Sequence, residues 1–131
     1  MKKIKAQTSI EFLILIGFIL FFFVIFFVAI NMNMQNKIEQ REELLIKEIA
    51  VSVQDEISLA IKSSDGYSRE FQIPEKLGNK DYEINIIENM VYLRAVDNSI
   101  ALALPVPEIN GDLIKGTNQI TKQNNEVYLN L

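Results

Sequence analysis

The chain has 131 residues, with 13 Lys and Arg against 17 Asp and Glu, and it contains no cysteine and no histidine. Disulfides, thiolate nucleophiles, Cys- or His-ligated metals and the commonest general base are therefore excluded, and the composition predicts neither an enzyme nor a cofactor. Beyond an apolar N-terminal stretch, 10 basic residues stand against 16 acidic ones, a balance that argues against a surface for nucleic acid or anionic lipid.

Residues 1–6, Met-Lys-Lys-Ile-Lys-Ala, form a short basic leader carrying Lys2, Lys3 and Lys5. From Phe12 to Ile30 follow 19 uncharged residues, rich in Phe, Leu and Ile and free of proline. As a helix this run is about 28 Å long, close to the roughly 30 Å hydrocarbon core of a bilayer. Three lysines precede it and 16 of the 17 acidic residues follow it, so the positive-inside rule predicts a single span with a cytoplasmic N-terminus and an extracellular C-terminal part.

From Asn31 onward no Gly or Pro interrupts the chain until Gly66, and Ile38, Leu45, Ile49, Val53, Ile57 and Ala60 recur at helical spacing. This is the apolar stripe of an amphipathic helix, with Glu43 and Lys47 as a supporting i,i+4 pair on its polar side. Ser63-Ser64-Asp65-Gly66 supplies the stop signal. One long helix over 7–62 is predicted, its first half holding the transmembrane segment 12–30 and its second half amphipathic.

Past Gly66 the apolar period becomes two. Arg69/Phe71/Ile73, Tyr82/Ile84/Ile86, Val91/Leu93/Ala95, Ile100/Leu102/Leu104 and Val127/Leu129/Leu131 predict five short strands. Turn-forming residues separate them at 74–80, 88–89, 97–98, 105–116 and 123–125, as in an antiparallel sheet. The predicted fold is α+β, a long N-terminal helix followed by a small antiparallel β domain over 67–131. Two segments, Ile73-Pro-Glu-Lys-Leu-Gly78 and Val106-Pro-Glu-Ile-Asn-Gly111, echo one another; the echo is read as shared turn chemistry, with duplicated β units as the alternative. Glu108, Asn110 and Asp112 alternate as calcium ligands do, but not at EF-hand spacing, and are read as a turn.

Between leader and apolar run stands Gln7-Thr8-Ser9-Ile10-Glu11-Phe12-Leu13-Ile14-Leu15. This stretch fits Gln-x-Ser-x-Glu-x-x-x-Leu and resembles the class III signal peptide of archaeal type IV pilin-like proteins. The resemblance covers roughly residues 2–30, and beyond them the likeness is one of outline. It implies a pilin-like fold, cleavage between Ala6 and Gln7 by a membrane-embedded prepilin peptidase, and retention of the apolar helix on the mature chain. Conventional secretory cleavage is disfavoured, because Asn31-Met-Asn-Met-Gln35 offers no small-x-small site.

In that family pattern Glu11 becomes the fifth mature residue and registers subunits during assembly, with the new terminal ammonium of Gln7 as its partner charge. An alternative stays open, since Thr8-x-x-Glu11 is also a capping-box pattern. The implied function is a structural subunit, major or minor, of an archaeal pilus-like filament at the cell surface. Its partners are the membrane, the prepilin peptidase and other copies of itself or related subunits, with no nucleic acid among them. A single-pass anchored binding or sensing module that never polymerises is the alternative. No Asn-x-Ser/Thr sequon occurs, which leaves N-glycans without a standard attachment site.

Overall fold

The structure, a computed structural model, describes the backbone of residues 2–131 and the side chains of residues 7–131. Among the described residues one helix, α1 (Lys2–Lys62), precedes seven strands: β1 (Ser68–Ile73), β2 (Tyr82–Ile87), β3 (Met90–Ala95), β4 (Ala101–Pro105), β5 (Asn110–Gly111), β6 (Gly116–Gln123) and β7 (Glu126–Leu129). The architecture is the α+β arrangement of a long N-terminal helix and a small, largely antiparallel β domain. Two compact units divide the chain, Met1–Glu39 and Gln40–Leu131.

The first unit is helix alone. Every residue from Gln7 to Glu39 is exposed, and Ile38, expected in the packed stripe, is 52% exposed. Asn31 donates a side-chain hydrogen bond to the Phe27 carbonyl one turn back at 2.9 Å, so the first polar residue after the run turns onto its own helix.

In the second unit the remainder of α1 is the spine of the core. Ile46, Ile49, Ala50, Val53, Ile57 and Ala60 are each no more than 7% exposed. They follow the three- and four-residue steps that keep side chains on one face of a helix. Ile46 and Ala50 widen the predicted stripe, and Leu45 lies at its half-buried margin. Against this face pack Phe71 and Ile73 of β1, Ile84 of β2, Val91 and Leu93 of β3, Ile120 of β6 and Val127 and Leu129 of β7.

The strands form two sheets, one in the order β1-β6-β7-β5 and one in the order β2-β3-β4. Pairing is antiparallel throughout except for the short parallel contact of β5 with β7, Asn110 opposite Tyr128 and Gly111 opposite Leu129. Two hairpin turns have both central residues at positive φ: Glu88 and Asn89 between β2 and β3, and Asn124 and Asn125 between β6 and β7. Both are of the type I′ kind, whose twist matches that of paired strands.

Seven strands replace the five predicted, and the addition that matters is β6, which lies between β1 and β7. Its inward-facing positions are Asn118, Ile120 and Lys122. Two polar residues out of three erase the apolar alternation that marks a strand. Ile100 falls just before β4, and Leu131, predicted to end the last strand, is 80% exposed beyond β7. The two echoed Pro-Glu segments take different local structures: Leu77 bridges Lys80 in the first, whereas Asn110-Gly111 forms β5 in the second.

Asn118 and Lys122 are buried because the backbone needs them. The Asn118 amide accepts from Ile114 N–H at 3.0 Å and donates to the Ile114 and Gly116 carbonyls at 2.7 and 3.2 Å, satisfying the tight connector before β6. Lys122 Nζ donates to the Ile61 and Ser63 carbonyls at 2.5 and 2.8 Å, at the C-terminus of α1 where carbonyls lose their helical partners. A cation there also opposes the negative end of the helix dipole.

Two glycines separate backbone strain from crowding. Both have positive φ, but a Cβ on Gly66 meets nothing within 4 Å, whereas one on Gly111 lies 2.0 Å from the Leu129 carbonyl oxygen. Gly66→Ala is therefore expected to cost only the left-handed penalty, about 1 kcal/mol, and Gly111→Ala on the order of 3 kcal/mol or more. Thermal unfolding of the two variants in detergent, followed by near-ultraviolet circular dichroism, checks the order.

Candidate functional site

The motif residues lie on the helix of the first unit. Gln7, Glu11 and Leu15 are spaced by four, which puts them on one face about 6 Å apart along the axis. Ser9 lies two residues off that face. All four are exposed. The Glu11 carboxylate makes no side-chain hydrogen bond or ion pair among the described residues. Lys2, Lys3, Lys5 and Ala6, and so the leader side of the Ala6–Gln7 bond, lie outside the described side chains.

Thr8 and Glu11 stand inside α1, beyond its first turn. Glu11 is an acidic group on a helix side, at the edge of an apolar surface.

That surface is the most consequential one on the molecule. Seven of the eight phenylalanines, all but Phe71, lie between Phe12 and Phe27 and are 60–67% exposed. Burying one such side chain is worth about 1.5–3 kcal/mol. Seven together exceed roughly 10 kcal/mol, comparable to the whole stability of a small domain. The segment is long and apolar enough to cross a membrane, and none of it is buried within the chain.

A shallow dent interrupts this surface where Gly17 sits among Ile14, Phe18 and Phe21. A Cβ added at Gly17 meets nothing within 4 Å.

In the second unit a groove of about 310 Å³ lies between α1 and the end of β1, lined by Leu45, Ile49, Val53, Ile73 and Leu77 with Glu48 and Lys76 among its polar residues. Glu108, Asn110 and Asp112 surround β5, and the Asp112 carbonyl accepts from the Asn130 side chain at 2.8 Å. Among the described residues no group of three or more Asp, Glu, His or Cys side chains is placed to hold a metal ion.

One ionic cluster ties three elements of this unit together. Lys80 Nζ lies 2.9 Å from Glu42 of α1 and 2.9 Å from Asp97 of the β3–β4 turn. Asp97 Oδ1 also accepts from Ser99 Oγ at 2.5 Å and Ser99 N–H at 3.0 Å. The Ser99 hydroxyl, then Lys80, then the Ser99 amide hold the Asp97 carboxyl well below the usual carboxylate range. Hydrogen bonds to Glu42 and Asp97 push the Lys80 ammonium up. Sequence reading missed this cluster, although Asp97-x-Ser99 is a local turn signal. Its long-range members, Glu42 and Lys80, carry no sequence mark. Nearby, burial pushes the Tyr82 phenol up to about 12, and its hydroxyl donates to the Pro74 carbonyl.

No protein-family model, curated protein or solved structure matches the chain.

The signs of the two shifts define a pH window. Asp97, with its folded value depressed, contributes stability above about pH 4 that is lost as pH falls through that folded value. Lys80, with its value raised, contributes below about pH 10.5 and loses it as pH rises further. Carbon-13 NMR titration is expected to place the Asp97 midpoint below that of an ordinary aspartate. Ser99→Ala is expected to raise it more than Lys80→Met does.

Proposed function

We propose that the chain is the precursor of a structural subunit of an archaeal type IV pilus-like surface filament. It is inserted with its N-terminus in the cytoplasm, cut between Ala6 and Gln7 by a prepilin peptidase, and polymerised through α1 with the β domain outside the membrane. The observation that carries this reading is the exposed, Phe-rich face of α1 following directly on Gln7, Ser9, Glu11 and Leu15. In the membrane lipid covers that face, and in a filament the helices of neighbouring copies cover it. Cutting after Ala6 places a new ammonium and the positive end of the helix four residues from Glu11, which supplies an opposite charge to a carboxylate otherwise costly near lipid.

This role is structural and uses no cofactor. An anchored binding module that does not polymerise is the second reading, favoured by the apolar groove beside β1.

Mass spectrometry of the chain recovered from sheared surface filaments and from membranes separates the two readings. A mature N-terminus at Gln7 in the filament fraction is expected. Intact Met1 confined to membranes overturns the filament reading. Glu11→Ala is expected to leave membrane insertion intact and to reduce filament yield at least tenfold; an unchanged yield removes the assembly role of Glu11.

A further inference from the structure

We propose that β4 is a docking edge for a second copy of this chain: two β4 strands pair antiparallel about Leu102, and the two three-stranded sheets join into one.

Hydrogen-bond directions define the edge. Strand β4 ends its sheet, with β3 as its neighbour. Ala95 N–H donates to the Ile100 carbonyl at 2.9 Å, and Val106 N–H donates to the Asn89 carbonyl at 2.9 Å. Between them Leu93 lies opposite Leu102 and Val91 opposite Leu104. Ile100, Leu102 and Leu104 therefore turn their backbone groups toward β3, and Ala101, Ala103 and Pro105 turn theirs outward. The Pro105 carbonyl is met from that side by Gln54 Nε2 of α1 at 2.6 Å, and proline has no N–H to offer. The N–H and C=O groups of Ala101 and Ala103 are left unpaired among the described residues.

The other sheet edges are guarded by charge or by shortness, the usual protections against strand addition. β1 carries Arg69 and Glu70, β2 carries Glu83, and β5 is two residues long. Between Asp97 and Glu108 no charged residue occurs, so β4 has neither safeguard.

A second β4 completes this edge. With Leu102 opposite Leu102 of the second copy, each Ala101 stands opposite an Ala103, and each such pair exchanges both hydrogen bonds. Every free group is then used. Centring on Ala103 instead sets Ala101 against Pro105, which cannot donate and whose carbonyl is taken. Centring on Ala101 sets Ala103 against Ser99, whose N–H is already given to Asp97. A slip of one residue turns the groups away from each other. On the outer face small alanines meet, letting the backbones approach. On the inner face Leu102 meets Leu102 and Leu104 meets Ile100, the side chains that the core covers only in part.

The contact is isologous and closes at two copies, leaving the guarded β2 at both ends. Its two-fold axis stands normal to the sheet and reverses a helix lying across the sheet, as α1 does. Copies along one filament share one helix direction, so pairing through β4 joins oppositely directed copies on facing fibres or cells. It stands whether or not the filament reading does.

The native chain has no cysteine, which makes cross-linking clean. Full-length Ala101→Cys and Ala103→Cys chains, each with its own tag, are purified in detergent, which frees them from a common membrane direction, then mixed, oxidised and run on non-reducing gels. Directly opposed residues have Cα atoms about 5.5 Å apart, within disulfide reach, and diagonal ones about 7–8 Å, beyond it. A 101–103 heterodimer at about fivefold the yield of either homodimer is expected. A 103–103 or 101–101 homodimer in equal or greater yield, or no cross-link, overturns the proposal. Ala103→Pro is the second variant, removing an outward N–H where an edge strand accepts proline. It is expected to keep the native circular dichroism and to weaken dimerisation, followed by analytical ultracentrifugation, by roughly tenfold; an undiminished dimer overturns the pairing.

Discussion

Two small sheets in this protein share no strand pairing with one another, and what joins them is the single apolar face that α1 presents between Ile46 and Ala60. A three-stranded sheet has one face to bury and cannot bury it on itself. The helix supplies the opposing surface for strands of both sheets, so the β domain is built on the helix as much as after it. The division of the chain at Glu39 and Gln40 reflects this. Secondary structure changes near Lys62, but the compact unit begins more than twenty residues earlier, where the helix first acquires something to pack against.

Polar groups finish what the apolar face starts. Lys80 gathers Glu42 and Asp97 at the beginning of this packed segment, and Lys122 takes the last carbonyls at its end. Glu56, facing Arg69 of β1 at 3.4 Å, lies between them. The two ion pairs are partly exposed, through Lys80 and Arg69, and such pairs contribute little singly. Their effect here is positional, because they fix where along the helix the sheets sit, something an apolar stripe repeating every three or four residues specifies poorly.

Much of this was legible in the sequence, and the failures share a cause. The helix was readable because its apolar residues are many and its stop signal is local. Strands β1 to β4 and β7 were readable because their inward side chains are apolar at every second place. The eight-residue β6 escaped because Asn118 faces inward to serve the connector just before the strand and Lys122 to serve the distant end of α1, and β5 because two residues paired in parallel leave no pattern. Ile38 entered the predicted stripe by its spacing, yet it precedes the second unit and stays exposed. Gln7, Ser9, Glu11 and Leu15 were the reverse case, conspicuous as a pattern while making no packed site within one chain. The dent at Gly17 needed both the pattern and the surface to be noticed.

The place of Lys122 also bears on mechanical load. β6 lies inside its sheet, hydrogen-bonded to β1 on one side and β7 on the other. Under a pull along the end of α1, the Lys122 ammonium would pass part of the load from the terminal carbonyls of that helix into the strand held on both flanks. A peripheral strand in the same position would peel away one hydrogen bond at a time, whereas β6 can leave only if two ladders give way together.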